Sequence, residues 1–141
     1  MKLYKNFNVS KNHRKSIILI GNFDGVHKGH QKLFKLANKY KKKFNLNIGV
    51  LTFEPMPKMF FNKNIKNFRI SSINQKNKIL NNLKVDFVIT KKFDKKFSKT
   101  KSSFLYKISL IKKLDLILEN ILSNFLVITK STPKFFNILF F

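Results

Sequence analysis

Two histidines, His27 and His30, stand three residues apart in the stretch Gly21-Asn22-Phe23-Asp24-Gly25-Val26-His27-Lys28-Gly29-His30. At that spacing on the start of a helix both imidazoles lie on one side, next to the amide groups of the first turn. A helix start of this kind attracts anions, because its N–H groups and the positive end of its dipole face outward. Two ring donors placed there suit the oxygens of a polyphosphate, and imidazole ionises near enough to neutrality for a bound anion to favour its charged form. The chemistry that fits is adenylyl or cytidylyl transfer. An acceptor phosphate attacks the α-phosphorus of a nucleoside triphosphate in line, without a protein nucleophile, and the protein orients the groups and absorbs charge on the phosphate oxygens. Gly29 lets the backbone come close and Gly25 permits the preceding turn. A plainer role for either histidine, as a helix cap or a satisfied surface group, stands beside that reading.

The turn must be held by something, and the flanking pattern supplies it. Ser16 to Ile20 is apolar without alternation, the mark of a strand buried on both faces. From Gly29 to about Phe44, the residues Leu33, Leu36, Ala37, Tyr40 and Phe44 recur at helical spacing with lysines between them. Ile48 to Phe53 is a second strand, ending at Glu54-Pro55-Met56-Pro57, where the prolines predict an extended loop rather than a helix. Ser72 and Gln75 have capping-box spacing ahead of Ile79, Leu80 and Leu83. Val85 to Thr90 predicts a third strand, Ser102 or Ser103 a cap for a helix running to about Leu118, and Phe125 to Thr129 one more strand. Strands alternating with helices over short links define an α/β fold with a parallel sheet covered on both faces. Ligands of such sheets bind at the carboxyl ends of the strands, where residues 21–30 and 52–57 both fall.

A chain of 141 residues is one domain by length. It has no cysteine, which excludes disulfides and thiolate metal sites, and no apolar run of membrane-spanning length. No apolar segment follows Met1-Lys2-Leu3-Tyr4-Lys5-Asn6, so a signal peptide is not expected there and the cytoplasm is the default location. The net charge of +24 is spread along the whole chain rather than gathered on one arm. Lys, Asn, Ile and Phe are over-used together, Phe occurring 17 times, and these residues share A/T-rich codons. Biased codon usage and a dedicated nucleic-acid surface are the two readings of that charge. Salt-sensitive attraction to polyanions is expected under either.

Gly21 to Gln31 resembles the signature of the HxGH nucleotidyltransferases, and its wording is closest to the bacterial bifunctional riboflavin kinase/FAD synthetases. Three further segments agree. Thr52-Phe53-Glu54-Pro55-Met56-Pro57 is similar to the family's TFxPxP loop, with its aromatic at Phe60 or Phe61. Phe68-Arg69-Ile70-Ser71-Ser72 is similar to the R-[IL]-[ST]-[ST] lead into the next helix. Val85-Asp86-Phe87-Val88-Ile89 and Phe93-Asp94-Lys95-Lys96-Phe97 resemble its VDxV…FD..F stretch. The likeness is collinear from about residue 16 to 108. It implies a Rossmann-like FMN adenylyltransferase domain that makes FAD and diphosphate from ATP and FMN, with Mg²⁺ accompanying the ATP and no protein metal ligands assigned.

On that likeness His27 and His30 are the catalytic residues. Gly21, Phe23, Asp24, Gly25, His27, Gly29 and His30 form the ATP site, and Thr52, Pro55 and Pro57 the flavin loop. Asp24 has a second reading, an Asx-type turn made by its own side chain, and the prolines a second reading as strand terminators. Arg69 either meets a phosphate or stands on the surface. Beyond about Ile108 the family's DFxFG and ISSTxxR segments and its riboflavin-kinase barrel are not found. A tail ending Phe135-Phe136-Asn137-Ile138-Leu139-Phe140-Phe141 stands in their place. The expectation is a partial adenylyltransferase domain over 1–141, family-like over about 16–108 with a divergent stretch over 109–141, incomplete at its C-terminal side through truncation or a frameshift. The competing expectation is a non-enzymatic basic remnant that binds nucleotides or nucleic acid.

Overall fold

The computed structural model describes residues 1–14, 16–62, 64 and 69–99. Strand β1 covers Lys2–Tyr4 and is followed by a 3-10 turn at Lys11–His13. Strand β2, Ser16–Ile20, leads through the glycine-punctuated turn into helix α1, Lys28–Phe44, and α1 returns the chain to β3, Asn47–Glu54. Helix α2, Pro57–Phe61, and helix α3, Ile73–Asn82, precede β4, Phe87–Lys92, and the short α4, Lys95–Ser98. The strands pair in parallel in the order β1-β4-β3-β2. Ser16 lies opposite Asn47 and Ile20 opposite Leu51, while Gly49 faces Phe87 and Glu54 faces Lys92. The β2–α1–β3 unit is therefore the one the apolar pattern predicts.

Alternation along the strands splits the core into two layers. On one face Ile17, Leu19, Ile48, Val50 and Val88 pack with Phe34 and Ala37 of α1 and Leu80 of α3. On the other, Leu51, Phe53, Phe87 and Ile89 pack with Ile18 and Ile20, with Phe60 of α2, with Phe97 of α4 and with Phe7 and Val9. Helices thus cover both faces of a Rossmann-like sheet. Each fully buried aliphatic or aromatic side chain stabilises the fold by about 1.5–3 kcal/mol. Gly49 is obligatory for packing, since a Cβ there would lie 2.3 Å from the Phe87 ring and 2.6 Å from Ile18.

The amino end of the sheet is tied by Asp86. Its carboxylate accepts from Lys41 Nζ at 2.6 Å on both oxygens and from the Ile48 amide at 2.7 Å. Its own amide donates to the Ile48 carbonyl, and its carbonyl accepts from the Lys2 amide, both at 2.8 Å. One residue, through its side chain and its backbone, therefore joins β1, β3, the start of β4 and the last turn of α1.

Several expectations need correction. The prolines do not hold residues 54–57 in an extended loop, because Pro57 is the first residue of α2. A proline there lacks only an N–H that would have no helical partner, and its fixed φ suits the first turn. Helix α1 begins one residue earlier than the periodicity indicates, and its buried aromatic is Phe34, whereas Phe44 is exposed. Strand β2 is outermost among the described strands, so Ile18 and Ile20 are only half-buried rather than covered on both faces. The third predicted strand is shifted to Phe87–Lys92, and β1, α2 and α4 carry no periodic signal of their own. The capping box forms as predicted, with Ser72 Oγ accepting from the Gln75 amide at 3.2 Å and Gln75 Oε1 from the Ser72 amide at 2.8 Å. The helix predicted from Ser102 or Ser103 and the strand predicted at 125–129 lie outside the described residues.

Candidate functional site

The chain leaves β2 at Ile20 and crosses the carboxyl end of the sheet, where the Gly21 amide bonds the Leu51 carbonyl at 3.0 Å. Phe23, with φ of 49°, folds its ring inward and is buried against Phe34 at 5.2 Å between centroids. Gly25 has φ of +60°, and a Cβ there would sit 2.9 Å from Ile70 Cγ2. Both the backbone conformation and the contact demand glycine.

His27 and His30 stack, with ring centroids 3.8 Å apart and planes inclined by 23°. His27 is the N-cap of α1, and its Nδ1 accepts from the Gly29 amide at 3.1 Å. The capping role and a phosphate role are compatible, because a ring that accepts at Nδ1 carries its proton on Nε2. A Cβ on Gly29 would come within 3.0 Å of His27 Cε1, so a side chain there would push on the capping ring. His30 packs edge-on to Phe23 at 5.1 Å. Burial, and to a smaller degree the neighbouring His27, push its pKa down to about 4, so it is neutral at neutral pH. Among the described residues its Nδ1 is buried without a hydrogen-bond partner, and so is Asn22 Oδ1 in the same turn. Buried polar atoms left unpaired inside a protein cost about 1–3 kcal/mol each. Two of them in one turn single this turn out among the described residues.

Asp24 makes no turn of its own. Its carboxylate reaches across 46 residues, accepting from the Ile70 amide, the Ser71 amide and Ser71 Oγ, each at 2.8 Å. Burial works to raise this carboxyl, but those donors and the charge of Lys76 outweigh it and hold it below its ordinary 3.8. Arg69, in the same segment, is half-buried and paired with Glu54 at the end of β3. The 69–71 segment is thereby strapped over the ends of β2 and β3.

Thr52 is fully buried, and its hydroxyl lies 3.5 Å from the Asn22 carbonyl, which links β3 to the turn. Pro55 follows β3 half-buried, and Pro57 is buried at the start of α2. These two sit at the same strand end rather than in the turn itself. The structure thus brings together Gly21, Phe23, Asp24, Gly25, His27, Gly29, His30 and Thr52. Sequence reasoning missed Lys76 of α3, which is only 8% exposed and donates to Thr52 Oγ1 at 3.2 Å. The available signal was position: Lys76, Leu80 and Leu83 fall at i, i+4 and i+7, which puts a lysine on the apolar stripe.

Among the described residues no group of three or more His, Asp or Glu side chains is arranged to hold a metal ion. No helix among them is long and apolar enough to cross a membrane.

The parallel sheet, covered on both faces and carrying a glycine turn at its carboxyl end, defines a Rossmann-like α/β domain. The model of the FAD synthetase family matches residues 9–118, and the chain belongs to that family. It is 38% identical over 117 residues to a bifunctional riboflavin kinase/FMN adenylyltransferase of Buchnera aphidicola subsp. Schizaphis graminum, covering 82% of this chain and 38% of that protein. The homologue of the same description from Buchnera aphidicola subsp. Acyrthosiphon pisum is 37% identical over 110 residues, covering 77% and 35%. That of Escherichia coli K12 is 35% identical over 82 residues, covering 58% and 26%. The chain therefore spans less than two-fifths of the length of these relatives. Among solved structures, the macrolide-efflux protein of Streptococcus pneumoniae superposes with a TM-score of 0.61 at 26% identity, covering 71% of this chain and 40% of that one.

Proposed function

We propose that this domain transfers the adenylyl group of ATP to the phosphate of FMN, giving FAD and diphosphate. The observation that carries the reading is the stacked His27–His30 pair at the start of α1, with His30 Nδ1 buried and unpartnered among the described residues, in a chain of the FAD synthetase family. A phosphate oxygen of FMN attacks the α-phosphorus of ATP. The new P–O bond forms as the bond to the bridging oxygen breaks, and diphosphate leaves with that electron pair. No side chain needs to become covalently linked, so the work of the protein is alignment and charge stabilisation.

His27 donates from Nε2 while its Nδ1 stays with the Gly29 amide. His30 is neutral before substrate arrives, and the phosphate charge draws a proton onto it, so that it donates where negative charge builds. Gly21, Gly25 and Gly29 keep the backbone close, Phe23 seats His30, and Asp24 acts on the site by strapping down residues 70–71. Thr52, with Pro55 and Pro57 beyond it, borders the side where the flavin would lie. Asp24 and Glu54 are already engaged, with Ser71 and Arg69, and no described cluster forms a metal cage. Mg²⁺ would come bound to the triphosphate, where it screens the phosphate charge.

The test is FAD formation by the purified full chain from ATP and FMN with Mg²⁺, resolved by chromatography. Wild type is expected to form FAD and diphosphate, and His30→Ala to be slower by about 10²–10³-fold, the usual loss on removing one transition-state donor. Folded wild type that forms no FAD would overturn the reaction. Undiminished activity in His30→Ala would overturn the role of that residue.

A further inference from the structure

A lysine buried on the apolar side of a helix is unusual enough to need a reason, because desolvating an ammonium is costly unless it is paired or used. Lys76 is such a residue, packed under the carboxyl end of β3 at Thr52. Of its three N–H donors, the described contacts account for one, to Thr52 Oγ1. The Thr52 hydroxyl is then oriented toward the Asn22 carbonyl, so the ammonium stands one hydroxyl away from the turn that carries the two histidines. The charged groups facing it are Glu54 from β3, Asp24 from the turn and Arg69 from the strap. Each carboxylate already has another partner: Glu54 has Arg69, and Asp24 has Ile70 and Ser71. Among the described residues Lys76 therefore has no dedicated counter-ion.

We propose that Lys76 is a positioning residue of the nucleotide site: it anchors the floor of the turn through Thr52 and supplies a positive field that draws the polyphosphate onto His27 and His30. The inference rests on the adenylyl-transfer reading and names a residue that reading does not use. It accounts for a buried cation linked through Thr52 to a turn in which, among the described residues, Asn22 Oδ1 and His30 Nδ1 are buried with no partner. A phosphate oxygen entering there would accept from Lys76 and from a protonated His30 Nδ1, while Asn22 Oδ1, which only accepts, would take a hydroxyl or amino donor of the nucleotide. Burial lowers the pKa of Lys76 below the ordinary 10.5, with Arg69 acting in the same direction and Glu54 and Asp24 opposing. The positive field is consequently lost at a less alkaline pH than a surface lysine would allow. Affinity for a polyphosphate should fall along that limb.

The experiment measures equilibrium binding of ATP, and separately of inorganic tripolyphosphate, to the full chain between pH 6 and 10. Wild type is compared with Lys76→Met and Lys76→Gln, each checked for folding by thermal melting. Met replaces the buried charge by an apolar chain of similar length, an exchange that tends to leave stability unchanged or raised. Gln keeps a donor for Thr52 but no charge. Both variants are expected to bind ATP and tripolyphosphate about tenfold or more weakly, the scale of one charge-assisted contact, and to lose the alkaline fall in affinity. A KM for ATP raised more than kcat is lowered is the matching kinetic result. Variants that melt lower yet bind with wild-type affinity and pH profile would make Lys76 purely structural and overturn the inference. If neither variant folds, wild type decides: an alkaline fall below the usual lysine range supports the inference, and a flat profile overturns it. Wild type that binds tripolyphosphate but makes no FAD would overturn the reaction while leaving the Lys76 assignment standing. Wild type that binds neither probe would overturn both.

Discussion

At the amino end of the sheet, Asp86 places both carboxylate oxygens on Lys41 and on the Ile48 amide, and its backbone groups on Ile48 and Lys2. At the carboxyl end, among the described residues, His30 Nδ1 and Asn22 Oδ1 are buried with no partner, and Lys76 has one hydrogen bond for three donors. The same four strands run between the two. Polar groups at the amino end satisfy one another and hold the fold. Those at the carboxyl end are left unmatched among the described residues, which is what the proposed nucleotide site requires. A polar cluster at a strand end is thus read by whether its atoms are already matched, not by how many charges it holds.

The sharpest way to break this contrast is to remove one group from each end. His30→Ala should lower FAD formation by about 10²–10³-fold, with thermal stability kept or slightly raised because an unpartnered buried nitrogen is lost. Asp86→Ala should do the reverse, costing about 2–3 kcal/mol of stability through the lost charge-assisted bonds, with KM for ATP unchanged in the folded protein. Melting and steady-state kinetics on the same samples check both. A large KM change in Asp86→Ala would abolish the distinction between the ends.

Asp24→Asn is the next smaller change, because it keeps the shape of the side chain but leaves one oxygen for the Ile70 and Ser71 donors. Activity should fall about tenfold, and hydrogen exchange at the Ile70 and Ser71 amides should speed up by a similar factor as the strap loosens. Unaltered exchange would show that Asp24 is not the latch.

The smallest effect is a pH dependence. His30 titrates at about 4 when folded against an ordinary 6.5, so the unfolded chain binds more protons between those values. Stability should therefore fall as pH drops from 6.5 toward 4, and this part of the melting profile should flatten in His30→Ala. Asp24 acts lower: its stabilisation is present above 3.8 and is lost as pH falls through its depressed folded value. ATP binding near pH 5.5 should be accompanied by proton uptake, seen by calorimetry in buffers of different ionisation enthalpy.

The parts of the molecule legible from sequence are those fixed by near neighbours. The β2–α1–β3 unit, the histidine turn and the Ser72–Gln75 capping box each depend on residues a few positions apart. What escaped depends on distance or on ambiguity of type. The Asp24 carboxylate meets Ser71 across 47 residues, a contact that neither the local Asx turn nor the pocket role read from sequence includes. Lys76 is one of 30 basic residues, and composition hides a buried lysine among exposed ones. Pro57 reads locally as a helix breaker, although proline is well suited to a helix's first position, the one it takes in α2. Strand β1 has three residues and forms only because β4 offers it an edge.

The central claim, that the carboxyl end takes the triphosphate through His27 and His30, has a direct test in the ring resonances of the chain's three histidines during an ATP titration. His13 is the internal control: it stacks on Phe87 at 4.7 Å and shares its Nδ1 with the Tyr4 hydroxyl at 2.9 Å, away from the turn. The account predicts that the His27 and His30 signals move together and saturably, His30 toward the protonated form, while His13 stays in place. Unmoved His27 and His30 signals at saturating ATP, or equal drift of all three, would contradict it.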